Sequence, residues 1–468
     1  MILNWYSYAQ GIQPITCTFV EVCVMECANS IREKLMQYIQ DNHIKHSHFA
    51  VTSGINSGTL SRILQGNKPI SMNQLIAITA GMGLPEDYFF DDYIDECFST
   101  LISIRRIRPF IFRCADLNRV DCIQHITNRI LEDLAYVPVL FEMAEELFDN
   151  NKKMAAAVLY RGVCEAEKYQ HSERLARCQY RLFLIDLGDN MEKNIRAATQ
   201  FETYVNRLDE TDQLEALKQL SHAFGMAHKW EKVNTLAKEM QRIATIQYEL
   251  QHRSVRSEEV KKETERPLYY YILYAYLAQA TASEKCGDYK RALELVGLYD
   301  NGERWIREKD EQAQQIIGQF SEWAIANTYL YRLMSGEVQI INEYADYIAT
   351  REGEIFIALW HMIQAANIYH FNIDTILERF AGYIPYQSEK AEFGEYKPTI
   401  IKEKYVQFLG DLAVYRFVES KDNQSATELM LEGLNLSIAM GSSTILNSCL
   451  AIFEKIRDRS EFYEAKQG

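Results

Sequence analysis

Residues 48–66, HFAVTSGINSGTLSRILQG, carry the most specific spacing in the chain. Ala50 is small where two helices would cross, Gly54 supplies a turn four residues later, and Ile55, Leu60 and Ile63 are apolar where a second helix would pack back. A helix-turn-helix needs this spacing, and its chemistry is hydrogen bonding to nucleic-acid base edges and phosphates. Other chemistries find less support. No G-x-G-x-x-G, Walker A or G-x-S-x-G pattern occurs, and paired acids such as Glu145 and Glu146 fall on what reads as a solvated helical face. The expectation is a protein that is not an enzyme and needs no cofactor. His43, His46 and His48 cluster without a cysteine or H-E-x-x-H pattern beside them, which reads as surface histidines rather than a metal site. The ten cysteines are scattered with no C-x-x-C pair and fit buried reduced thiols.

The elements that must hold the motif are short helices. Ile31, Leu35, Tyr38 and Ile39 share one helical face; His46 to Ser53 forms a second helix that Gly54 stops. Asn56 can cap a third helix, Gly66 to Pro69 is a turn, and Ser71 caps a fourth helix over Met72–Met82 before Gly83 and Pro85 end it. Residues 86–99 are acidic and aromatic and predict a further helix. Net charge is −15 for the whole chain, which argues against a general nucleic-acid coat. Between Ala28 and Leu84, however, Arg32, Lys34, Lys45, Arg62 and Lys68 stand against only Glu33 and Asp41, so 5 − 2 leaves this segment at +3.

In its residues Ala50, Gly54, Ile55, Leu60 and the run Thr59-Leu-Ser-Arg-Ile63, the segment 30–95 resembles the XRE/Cro helix-turn-helix family of phage repressors. The resemblance implies that the second helix of the motif lies in the major groove, with Ser57, Gly58, Ser61 and Arg62 toward base edges and Thr59 near the sugar-phosphate wall. Arg62 is then the one candidate for a bidentate contact to guanine. His46, Asn67 and Lys68 would sit near phosphates. Ser57 and Gly58 are small where many relatives place long polar side chains, so a dimer is expected to double a weak half-site reading.

Beyond the head, residues 100–119 contain Arg105, Arg106, Arg108 and Arg113 around Pro109 and read as a basic linker. From 120 to 468 the pattern is helix after helix. Five stretches repeat an apolar helix, a short turn and a second helix opening on an aromatic or small residue. They include Leu140 to Tyr160, Leu217 to Ala237, Tyr276 to Ala292, Trp323 to Ile340 and Val414 to Met430. This predicts an all-α fold, a small helix-turn-helix bundle followed by a tetratricopeptide-like α-solenoid of roughly seven to nine helix pairs with a concave face. The 21 Gly and 8 Pro, against about 33 and 23 at average usage, agree. The 29 Tyr fit wedges between repeats. Asn327, Tyr331, Asn367 and Asn447 are polar on helices that otherwise look buried, so each either bonds a neighbouring helix or faces a peptide in the groove.

A head of this type followed by such an array resembles the RRNPP peptide-pheromone regulators of Gram-positive bacteria, and the run 198–222 is similar to Bacillus-type members. The resemblance implies a dimeric transcriptional regulator that binds an operator in double-stranded DNA and is gated by a short signalling peptide. The alternative is a protein-interaction scaffold with a vestigial head. Residues 1–27 read as an N-terminal arm or a mis-called start. They lack a basic residue, since the first is Arg32, and therefore any secretory signal. Leu268–Ala282 is too short and contains Gln279, so no membrane partner is expected, and the location is expected to be cytoplasmic.

Overall fold

The computed structural model describes residues 30–99, 101–188, 190–253, 264–383, 398–440 and Glu454. The segment 1–27 and Asn447 lie outside the described residues. The fold is all-α, with 22 α-helices and no strand among the described residues. It divides into two compact units after Ala166.

The first unit holds α1 (Ile31–Asp41), α2 (His46–Ser53), α3 (Ser57–Leu64), α4 (Met72–Gly81), α5 (Phe90–Phe98), α6 (Ile104–Asp116), α7 (Val120–Ile130), α8 (Val137–Asp149) and α9 (Lys153–Ala166). Leu35, Ile39, Phe49, Leu60, Ile63, Leu75 and Ile78 make the core beneath the α2–α3 turn. The expected basic linker is instead helical. Ile107, Phe110, Ile111 and Cys114 of α6 are buried, and Phe110 packs its ring on Phe90 and Tyr93 of α5. Because α7 also packs on α5 and α6, the boundary between units falls well after residue 119.

The second unit holds α10 (Glu173–Asp186), α11 (Met191–Glu202), α12 (Glu210–Met226), α13 (Trp230–Arg253), α14 (Leu268–Lys285), α15 (Tyr289–Asp300), α16 (Gly302–Trp305), α17 (Glu311–Met334), α18 (Ile341–Ile348), α19 (Glu352–Tyr369), α20 (Asp374–Arg379), α21 (Pro398–Val418) and α22 (Asn423–Met440). Each long helix packs mainly on its sequence neighbour: α12 on α13, α13 on α14, α14 on α15, α21 on α22. Nearest-neighbour packing of this kind is a helical-repeat solenoid.

One turn recurs through all five repeated stretches. Asn151, His228, Gly287, Gly336 and Lys421 have φ of 59°, 55°, 79°, 102° and 55°, in the left-handed region. The next helical segment starts two residues later each time, at Lys153, Trp230, Tyr289, Val338 and Asn423. In the first four, the following amide reaches back five residues: Lys152 N–H to Leu147 (2.8 Å), Lys229 to Phe224 (2.9 Å), Asp288 to Ser283 (2.9 Å) and Glu337 to Arg332 (3.1 Å). That bond satisfies a carbonyl the ending helix would otherwise leave open. Around the turns, Ala144, Ala156, Ala237, Ala280 and Ala292 are fully buried and let helix axes approach.

The tyrosines bridge helices as their number suggested. Buried Tyr271 donates to Glu215 at 3.1 Å and buried Tyr248 to Glu308 at 2.7 Å, and the more exposed Tyr369 donates to the Met334 carbonyl at 2.6 Å, each reaching another part of the unit. Burial raises the pKa of Tyr248 and of Tyr271, so both stay protonated donors.

Gly287 and Gly297 provide a paired test of the turn, since a methyl group added at either meets open space. Only Gly287 has a left-handed backbone; Gly297 lies inside α15. Gly287→Ala should therefore destabilise by about 1–2 kcal/mol, whereas Gly297→Ala should stabilise by about 0.5–1 kcal/mol. Thermal unfolding of the two variants should move in opposite directions.

Candidate nucleic-acid interface

The turn between α2 and α3 is built from three local devices. Gly54 ends α2 with φ 69°, a conformation that a Cβ would strain. Asn56 then caps α3 by accepting from the Gly58 and Thr59 amides at 3.0 and 3.3 Å. Ser71 and Gln74 form a capping box that starts α4. These caps leave α3 with two faces. Leu60 and Ile63 are buried, while Ser57, Gly58, Ser61 and Arg62 are exposed and Thr59 is half-buried at the edge. Arg62 lies along its own helix, its Nε donating to the Gly58 carbonyl at 3.2 Å.

His46 is exposed at the start of α2, where no side chain caps the helix and its first amides remain open to an acceptor. Asn67 is exposed and Lys68 half-buried in the turn after α3. The eight predicted head residues thus fall on α3, the start of α2 and the turn that follows α3.

Charge is segregated sharply along this unit. No Asp or Glu occurs from residue 42 to 85, and then six acids follow in 86–96. Each of the six meets a cation: Glu86 with Arg113, Asp87 and Asp91 with Arg119, Asp92 with Lys34, Asp95 with Arg129 and Glu96 with Arg32. Arg113 holds the Glu86 carboxyl below its usual range through a side-chain hydrogen bond. Two of the five cations counted in the head, Arg32 and Lys34, are therefore matched by acids just outside it, which leaves Lys45, Arg62 and Lys68 as the charges around the α2–α3 motif.

Arg32 has a second task. Its Nε donates to the Ile63 carbonyl at 3.0 Å and Nη2 to the Lys68 carbonyl at 3.4 Å, while Nη1 and Nη2 reach the Glu96 carboxylate at 2.6 and 2.5 Å. One guanidinium thereby ties α1, the end of α3, the next turn and α5.

Of the two readings open for the amides, the bond to a neighbouring helix is the one made. Asn327 Nδ2 donates to the Tyr299 hydroxyl at 2.9 Å, and Asn367 Nδ2 to the Asp411 carbonyl at 2.8 Å. Tyr331 is buried at 2 % exposure. The structure does not bring these three residues together into one open surface. Of the five tyrosines between 269 and 276, Tyr269 and Tyr271 are buried and Tyr276 accepts from Gln241 at 3.1 Å.

No family model matches the chain, and no curated protein does. Among solved structures, a circular tandem repeat protein with novel repeat topology and enhanced subunit contact surfaces is similar at 11% identity, over 93% of this chain and 90% of that one. Its TM-score of 0.14 is too low to carry an argument about this fold.

Sequence reasoning missed the Arg32–Glu96 tie and the use of Arg106, Arg108 and Arg113. Arg106 donates to the Glu96 and Cys97 carbonyls at 3.2 and 3.3 Å, Arg108 pairs with Glu146, and Arg113 pairs with Glu86. The abrupt switch from an acid-free run to six acids was the signal that could have found these pairs.

Arg32→Ala leaves Glu96, whose side chain is 8% exposed, without its cation. The expected local destabilisation is about 3 kcal/mol, read as faster amide exchange in α1, α3 and α5 with α14 and α15 unchanged. Glu96→Gln keeps an acceptor and should lose less.

Proposed function

We propose that this chain is a DNA-binding transcriptional regulator that acts as a homodimer, engages an operator through α3, and is controlled by a short signalling peptide taken up by the repeat unit. The observation that carries the reading is the exposed face of Ser57, Gly58, Ser61 and Arg62 on the second helix of a helix-turn-helix, inside a stretch with no acidic residue. A phosphate approaching that face meets Lys45, Lys68, His46 and the uncapped start of α2, and no carboxylate from 42–85 opposes it. Arg62 can unfold from the Gly58 carbonyl toward guanine, exchanging one weak hydrogen bond for a bidentate pair. Small side chains at Ser57 and Gly58 limit what one head can read, which is the reason for a dimer.

The peptide part of the proposal is supported by the repeat architecture, which offers helices in series to an extended chain. Its three sequence-derived residues do not add to that support, since Asn327 and Asn367 already bond neighbours.

Titration of the full chain with duplex DNA from its own upstream region tests the DNA reading. Affinity should fall steeply with salt, and Arg62→Ala should lower the salt slope by about one and weaken specific binding by about 1–3 kcal/mol. Absence of binding to that DNA and to random duplex at low salt would overturn it. For the peptide, short peptides encoded beside the gene should raise the melting temperature of the repeat unit; a peptide at 100 times its Kd stabilises by about 2.7 kcal/mol.

A further inference from the structure

The repeat unit contains a cavity of about 400 Å³ whose walls come from five helices and the first residue of a sixth, α11. Its size lies in the range of pockets that take small organic ligands, about 300–1,000 Å³, and is small for an extended peptide. Lys285 of α14 and Lys404 of α21 stand on its wall with His222, His228 and His361, and no Asp or Glu is among the described residues lining it. Glu284 meets the Lys285 ammonium at 3.1 Å without joining the lining.

Two wall atoms lack hydrogen-bond partners although they are out of solvent. Ser221 Oγ and His361 Nδ1 are both unpartnered, in residues only 3% and 9% exposed. Buried polar atoms left this way cost about 1–3 kcal/mol each, and here both belong to one cavity. Burial, then the Lys285 ammonium, holds His361 down to about 3 against a hydrogen bond to the Ile357 carbonyl that raises it, so the ring is neutral. The rest of the wall is mostly apolar and aromatic, with Trp230, Tyr274, Leu277 and Trp360, and carries the polar side chains of Thr281 and Gln407. Trp360 is held in place by its Nε1, which donates to Asp411 at 2.7 Å.

We propose that this cavity binds a small organic acid, an apolar body carrying one carboxylate or phosphate. The anion sits between Lys285 and Lys404, the Ser221 hydroxyl donates to it, and the tryptophans enclose the body. The site lies within the repeat unit and does not rest on the DNA reading.

The test is a titration of the full chain with 4-phenylbutyrate and with 4-phenylbutyramide, its neutral counterpart, followed by tryptophan emission from Trp230 and Trp360. The acid should bind about tenfold more tightly than the amide, and the preference should vanish in Lys285→Met with Lys404→Met. Equal affinity for acid and amide, or no change in emission with either, overturns the proposal on the unmodified chain, whether or not the lysine variants fold. Retention of the preference in a folded double variant also overturns it. A short peptide ending in phenylalanine, run with its C-terminal amide, separates a free acid from the end of a peptide. Weaker binding than 4-phenylbutyrate supports the free acid, and tighter binding overturns that assignment.

Discussion

A helix can hand over to an antiparallel partner within two or three residues only if one residue leaves the right-handed region, and every repeated hairpin in this chain obeys that constraint at the same place. Gly287 and Gly336 do so without strain, while Asn151, His228 and Lys421 do so with a Cβ. Asn118 makes the same turn before α7, and Gly54 makes the equivalent stop between α2 and α3. The residue that turns lies at a constant offset from the next helical segment, and fully buried alanines flank these turns. Tyrosines such as Tyr271 and Tyr369 then tie helices through their hydroxyls, to Glu215 and to the Met334 carbonyl.

Charge is arranged on a different principle. The chain is strongly acidic, and the acids nearest the head each pair with a cation from α1, α6 or the start and end of α7, most of them at the surface. Exposed pairs of this kind contribute little singly, and the Arg32–Glu96 pair, being largely buried, is the one whose loss matters. What remains unmatched in the acid-free stretch is a small positive excess on the side of α2, α3 and the turn after it.

Much of the head was legible because its determinants are local. Gly54, Asn56 and Ser71 act on residues within four positions of themselves, and the structure places each cap where the spacing puts it. The five hairpins were legible for a related reason, although the shared left-handed residue was not, since Asn, His, Gly and Lys have no common side-chain signature. Residues 104–116 read as a linker on their arginines, whereas Ile104, Ile107, Ile111 and Cys114 already follow helical spacing. Asn327 and Asn367 illustrate a limit of another sort: a polar residue on a buried helix has the same local pattern whether it faces a groove or a neighbour. The cavity was not legible at all. Ser221, Lys285, His361 and Lys404 lie on four helices, and only the stacking of the repeats brings them to one space.

The Arg32 guanidinium makes α3 and α5 parts of one lever. Its planar fork holds the Ile63 and Lys68 carbonyls and the Glu96 carboxylate together, while Asp95 and Asp91 of α5 meet Arg129 and Arg119 at the two ends of α7 only at the surface. The position of α3 is thus set partly by residues more than thirty positions away in the chain, through one side chain.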